Sequence, residues 1–251
     1  MTSSEPKHDD GSDEALDEAP GVASEADHEL RTFGRTRSRS LTARQQDVVA
    51  RLSSQTSIDL STDGPLSRAG IFDQAYEALW LEIGFGGGEH LLWQARENPN
   101  VGIIGCEPFR DGVVRVLTAI DEEHLGNIRL HVDDARPLLR RLQPQSIDRA
   151  FILFPDPWPK KRHNKRRLIN ANLAESLAKI MKSGAQLRIA TDIDDYLKSI
   201  LLTFHGHPDF DWLAARPSDW RVRPSDWPAT RYEAKAIREG RSCAYLRFRR
   251  T

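Results

Sequence analysis

Four short apolar runs each lead into a carboxylate. Glu82 lies at the end of ALWLE, just before a turn holding Gly84, Gly86, Gly87 and Gly88. Glu107 closes VGIIGCE, Asp133 and Asp134 follow NIRLHV, and Asp156 follows IDRAFILFP. Gly84 and Gly86 permit a tight turn and bring backbone N–H groups close to a ligand. The turn departs from G-x-G-x-x-G, because Gly86, Gly87 and Gly88 are consecutive and Glu89 follows. Glu107 comes 23 residues after Gly84, the place from which an acid accepts from both hydroxyls of a ribose. An acid at the third run's end, Asp133 or Asp134, can contact the amino group of adenine. Glu82 sits inside its run, so its carboxylate needs a cationic partner or hydrogen bonds. The amine of S-adenosylmethionine meets that need and the pyrophosphate of NAD does not. Acids at three successive ends therefore suit S-adenosylmethionine better than NAD, with a helix cap as the plainer role for one of Asp133 and Asp134.

The fourth acid stands in Phe154-Pro155-Asp156-Pro157-Trp158-Pro159. Three prolines stiffen the backbone around Asp156 and Trp158. An acid beside an aromatic suits a flat base: the ring stacks and the carboxylate accepts its N–H groups. Residues 160–167, KKRHNKRR, then place six bases in eight positions, a patch for phosphates. A basic run is usually a solvated face. Directly after a stiff Asp-Pro-Trp, it points to nucleic acid.

The elements that must hold these residues alternate. Strands are expected over 78–84, 101–107, 127–132, 147–154 and 185–192, with helices over 89–97, 166–182 and 196–204. A further helix follows 107, with Pro108 in its first turn and Val113, Val116, Leu117 and Ile120 as its apolar stripe. Gly184 is placed as the C-cap of the 166–182 helix. The alternation of apolar and basic residues over 243–250 predicts a half-exposed strand. Repeated βα units imply an α/β fold: a mostly parallel sheet with helices on both faces. Ligands then sit at the carboxyl ends of the strands, near the switch in strand order. RPSDW occurs twice, at 216–220 and 223–227, and reads as a local loop duplication.

The 251-residue chain has a net charge of -1 that hides two unlike parts. Residues 1–29 hold ten acids against one base; the other 222 residues hold 35 bases against 27 acids. Residues 1–30 read as a disordered acidic tail, 31–60 as a basic arm that is flexible over 31–44, and 61–251 as the catalytic domain. An acidic tail on a basic body fits a polyanionic partner. No apolar run reaches the roughly 18 residues of a membrane helix, and no secretory signal is visible. Two cysteines, Cys106 and Cys243, give neither a disulfide framework nor a Cys-rich zinc site. A reduced cytoplasmic setting, no membrane and no metal are expected.

FPDPWPKKRHNKRR, with LEIGFGGGEH, GCEPF, ATDIDDY and PATRYE in that order, resembles the bacterial tRNA (guanine-N7-)-methyltransferase family, TrmB type, over roughly residues 31–250. The resemblance implies a Rossmann-like class I S-adenosylmethionine-dependent methyltransferase acting on N7 of guanine 46 in the tRNA variable loop. It assigns Glu82, Glu107, Asp134 and Asp156 to the cofactor, with Asp156 also the active-site residue. Lys160, Asp192, Thr230, Arg231, Tyr232 and Glu233 match its substrate positions. Arg162, His163, Asn164, Lys165, Arg166 and Arg167 match its RNA-contact segment. The acidic 1–29 and the doubled RPSDW depart from the family. Guanine N7 has a lone pair and no proton to lose, so the transfer needs positioning and electrostatics rather than a strong base. Asp156, Asp192 and Glu233 all remain open as the acid that reads the guanine edge. The competing readings are methylation of a base amino group, a tRNA-binding protein on a decayed enzyme fold and, weakest, a dehydrogenase. Monomer and homodimer are equally compatible.

Overall fold

The computed structural model describes residues 40–61 and 63–251. The acidic tail and residues 31–39 of the basic arm lie outside the described residues. In chain order the elements are α1 (Ala43–Thr56), α2 (Arg68–Ile71), β1 (Ala78–Ile83), α3 (Glu89–Glu97), β2 (Val101–Cys106), α4 (Arg110–Glu123), β3 (Ile128–His131), α5 (Ala135–Arg141) and β4 (Ile147–Leu153). A 3-10 turn (Lys161–Arg166) follows, then α6 (Ala171–Ile180), β5 (Met181–Thr191), α7 (Asp194–His205), β6 (Phe210–Trp212), α8 (Ser218–Arg221), α9 (Arg231–Arg238) and β7 (Ala244–Arg250).

The strands form one sheet in the order β3-β2-β1-β4-β5-β7-β6. The first five are parallel, and β7 runs antiparallel to both neighbours. Strand order reverses between β1 and β4, which makes their carboxyl ends the natural ligand crevice. The expected Rossmann-like, mostly parallel architecture is therefore present. Both faces are covered. Leu79, Leu81 and Ile83 of β1 join a core with Leu138 of α5, Leu177 of α6 and Ile200 of α7. Trp80 faces the other way, among Leu91 of α3, Val116 and Leu117 of α4 and Val48 of α1. Side chains alternate along a strand, so Glu82 shares the face of Trp80.

Several boundaries differ from the sequence reading. The arm is helical from Ala43, so flexibility up to Arg44 does not hold. Thr42 accepts from Gln45 N while the Gln45 side chain accepts from Thr42 N at 3.0 Å, a capping box that the arginines masked. Arg51 then ties α1 to α4 through Asp121 at 3.0 Å. Pro108 lies outside α4, whose N-cap is Phe109. The 166–182 helix begins only at Ala171, because Asn170 caps it by accepting from Leu173 N at 3.1 Å. Met181 already pairs with Ile147 of β4. Gly184 therefore turns within the irregular start of β5, with φ +82°, rather than capping a helix. The strand over 244–250 is mostly buried, since Leu246 and Phe248 pack in the core with Ile200 and Phe204 of α7 and Tyr245 packs against Trp227.

Candidate functional site

The glycine turn and Glu107 form one unit. Gly86 N donates to Glu107 Oε2 at 2.7 Å, and Phe109 N donates to Oε1 at 2.9 Å. The acid at the end of β2 thus lashes the turn after β1 to the start of α4. Gly84 and Gly86 have φ of +75° and +56°, a region that disfavours any residue with a Cβ. Gly112 in the first turn of α4 packs so closely that a Cβ there would lie 1.9 Å from Gly86 O. Burial pushes the Glu107 carboxyl above its usual range. The N–H groups of Phe109 and Gly86 oppose that rise, and the charges of Asp156 and Glu82 add to it. The three acids at the crevice therefore share one electrostatic neighbourhood.

Glu82 is fully buried, and part of what it needs comes from within the chain. His90 Nδ1 lies 2.7 Å from Glu82 Oε2, and Gln94 Nε2 lies 3.1 Å from His90 Nε2. Gln94 Oε1 accepts from Asn98 Nδ2 at 3.2 Å, so the Gln94 amide turns its NH₂ toward the imidazole. That makes His90 Nε2 the acceptor and Nδ1–H the donor to Glu82. The sequence reading missed both residues. The signal was available: polar side chains at i and i+4 on the apolar stripe of a helix directly after a glycine turn.

Asp134 takes the plainer of its two roles. It caps α5, accepting from Arg136 N at 2.8 Å, and pairs with the Arg136 guanidinium at 2.7 Å. Asp156 is exposed beyond the end of β4. The backbone around it is held in unusual conformations, with φ of +50° at Phe154 and +45° at Trp158. Such strain is stored where the surroundings over-determine the chain. The Arg166 guanidinium lies 5.1 Å from the Trp158 ring, and His163 meets the same ring edge-on at 6.0 Å. Burial and the cations Arg166 and Arg162 hold the His163 imidazole below its usual value. Lys160, Arg162 and Lys165 are exposed; Asn164 is half-buried. Arg167 turns inward instead. It is buried, donates to Pro157 O at 2.8 Å, pairs with Asp195 and stacks on Tyr196 at 4.8 Å. A phosphate cannot reach it without undoing that anchor, so the cationic surface of this segment omits Arg167.

The remaining acids sit across β5 and β7. Asp192, at the end of β5, accepts from Arg241 Nε at 2.8 Å and opens onto a cavity of about 510 Å³ shared with Arg221 and Ser242. Thr230 caps α9 by accepting from Glu233 N at 3.3 Å. Glu233 is buried, paired with Arg223 Nε at 3.0 Å, and accepts from the Tyr245 hydroxyl. Burial raises the Cys243 thiol, and both Glu233 and Asp192 push it further, so these two acids flank one point. Arg231 and Tyr232 lean back over the glycine turn. Arg231 Nε pairs with Glu89 at 3.4 Å, and the Tyr232 ring would sit 3.1 Å from a Cβ on Gly86. The start of α9 thus roofs the turn after β1, bringing the late TRYE motif to the cofactor side as well. Arg223, Tyr245 and Arg241 were not legible as site residues, since each acts through a partner distant in sequence.

A family model described as "Putative methyltransferase" matches residues 76–246. A tRNA (guanine-N(7)-)-methyltransferase of Hyphomonas neptunium is 50% identical over 208 residues, 83% of this chain and 94% of the relative. Relatives of the same description from Chelativorans sp. and Rhodospirillum rubrum are each 44% identical; they cover 86% and 88% of this chain, and the chain covers 93% and 88% of them. Among solved structures, the aminoglycoside resistance methyltransferase NpmB1 matches with a TM-score of 0.50 at 16% identity, over 77% of this chain and 98% of that one. That likeness concerns the fold.

Proposed function

The chain belongs to the tRNA (guanine-N7-)-methyltransferase family, and from that premise we propose that it methylates N7 of guanine 46 in the tRNA variable loop, in the cytoplasm. The observation that carries the reading is the grouping of Glu107, Asp156 and Glu82 at the switch between β1 and β4, followed at once by a basic turn. A carboxylate that feels the charge of two others favours a cationic ligand and disfavours a pyrophosphate. The donor set thus fits S-adenosylmethionine. Glu82 and Glu107 would hold it, over the Gly84 and Gly86 turn. When bound, it supplies an electrophilic methyl group on a sulfonium.

The chain's own residues then do four things. Glu107 fixes the glycine turn and offers its remaining lone pairs to ribose hydroxyls. His90 and Gln94 hold the Glu82 carboxylate in one rotamer. Asp156, stiffened by its prolines, places negative charge where the purine becomes cationic, so it favours the transition state over the ground state. Lys160, Arg162, Lys165 and Arg166 take phosphates, while Glu233 and Asp192 face the base. Asp134 belongs to the scaffold of α5 on this reading, and any contact with adenine is made around its cap role.

Incubation with unmodified tRNA and methyl-labelled S-adenosylmethionine, followed by nucleoside analysis, tests the proposal. Label should appear in 7-methylguanosine and vanish when guanine 46 of the tRNA is replaced by adenine. Label in another nucleoside, or none, refutes it.

A further inference from the structure

The string Arg-Pro-Ser-Asp-Trp occurs at 216–220 and 223–227, and its two copies fold differently. In the first, Asp219 accepts from Ala215 N at 3.0 Å, from Arg216 N at 3.1 Å and from Arg216 Nε at 3.3 Å. That carboxylate closes the start of α8 on itself and leaves Arg216 exposed, while Trp220 packs beside Trp212. In the second copy the same residue types reach outward. Asp226 pairs with Arg188 of β5 at 2.7 Å. Its carbonyl accepts from Gln94 Nε2 at 3.4 Å. Trp227 is buried and meets the Tyr245 ring edge-on at 5.7 Å. Arg223 donates to Trp227 O and places its Nε 3.0 Å from Glu233 Oε1. The Tyr245 hydroxyl donates to that same oxygen.

The Tyr245 hydroxyl, by a hydrogen bond, and the Arg223 guanidinium, by an ion pair, therefore converge from separate elements on Oε1 of Glu233. They fix the rotation of the carboxylate and leave Oε2 for a donor that a ligand brings. We infer that the second RPSDW copy is a positioning device for the substrate-side acid: Arg223 orients Glu233, while Asp226 and Trp227 anchor the loop to β5 and β7. The inference rests on the proposed role of Glu233 against the base. Guanine offers N–H donors at N1 and at its exocyclic amine, whereas adenine N1 is an acceptor, so an oriented carboxylate oxygen also selects guanine. The first copy lacks these contacts and serves as an internal control.

The test measures tRNA methylation by Arg223→Ala, Arg223→Lys, Arg216→Ala, Glu233→Gln and the double variant Arg223→Ala/Glu233→Gln, with cofactor binding by calorimetry alongside. Losing this ion pair to a buried carboxylate should lower kcat/KM for tRNA about ten- to hundredfold in Arg223→Ala, mostly through KM, with cofactor affinity unchanged. Arg223→Lys should recover part of the loss. Arg216→Ala should stay within about twofold of the parent. In the Glu233→Gln background, removing Arg223 should cost little more. Unchanged kinetics in Arg223→Ala overturn the inference, as do fully additive losses. Equal losses in the alanine and lysine variants, with cofactor binding lost too, make Arg223 a mere support of the fold and overturn it as well. Normal methylation by Glu233→Gln refutes the substrate role of Glu233 itself and takes the inference with it.

Discussion

Replacing Glu107 with glutamine removes one charge and leaves the side chain's size. In the free chain this carboxyl sits above its usual value near 4.5, chiefly through burial. The sign follows from linkage. A carboxyl raised by folding stabilises the native state fully below its unfolded value, and that contribution is lost as pH climbs through the folded value. A cationic cofactor prefers the ionised form, so its binding should expel a proton. The affinity for S-adenosylmethionine should therefore rise with pH up to the folded value, by up to about tenfold per pH unit, or about 1.4 kcal/mol, and level off past it. Calorimetry in two buffers of different ionisation heat reads the released proton directly. Glu107→Gln should release none and show a flat profile. At neutral pH it should bind about 1.5–3 kcal/mol more weakly, the scale of charge-assisted hydrogen bonds. Gly86 N and Phe109 N would also share a single amide oxygen, which adds to the loss. Proton release that persists in the variant, or a parent affinity indifferent to pH, would refute the assignment of Glu107 to a cationic ligand.

Asp156→Asn should still bind tRNA and cofactor, yet its single-turnover rate should fall at least about a hundredfold; near-parent turnover on saturated enzyme sinks the electrostatic role. Neutralising Lys165 and Arg166 together should flatten the salt dependence of tRNA binding by about 0.7–0.9 log units per lost phosphate contact, and an unchanged slope would make this turn a solvated face. Arg167→Gln should act through stability instead, costing about 1.5–3 kcal/mol in denaturant unfolding because a buried guanidinium loses Pro157 O and Asp195; a parent-like midpoint with weaker RNA binding would contradict its inward placement. Gly112→Ala must push a methyl against Gly86 O, so cofactor binding should weaken and stability fall by about 1–3 kcal/mol; an unchanged melting curve would refute the close approach.

What was legible in the sequence followed from period and length. β1 and β2 are buried along nearly their whole length and, like the second half of β4, read as nearly continuous apolar runs, so their ends, and the acids at those ends, could be counted off. Glu82 and Glu107 were found that way. Residues whose meaning comes from a distant partner were not. Arg167 lies in a run of like residues, and only the Pro157 carbonyl and Asp195 distinguish it from Arg166. Asp134 carried two compatible roles, of which the structure displays the cap, made to Arg136 two positions on. The helix over 43–56 was hidden by arginines that suggested a loose arm, although Thr42 and Gln45 spelled its start. The two RPSDW copies show the limit most sharply. Identical strings diverge because Arg188 and Glu233 stand within reach of one and not of the other.

The distribution of charge around the crevice bears on how RNA must approach. Glu82 and Asp156, at the ends of β1 and β4, both act on Glu107 at the end of β2, and Asp192 and Glu233 flank Cys243. The exposed bases Lys160, Arg162 and Lys165 lie together in the turn after β4. A phosphate brought toward Glu107, Glu82 and Asp156 would meet repulsion and desolvation. A purine edge carries no net charge and offers N–H donors that carboxylates accept. On the proposed reading, the RNA backbone is thus confined to the basic turn, and only an extruded base can enter. The same acids that repel phosphate attract the cation formed on the ring at transfer, so exclusion of the wrong group and stabilisation of the transition state come from one set of charges.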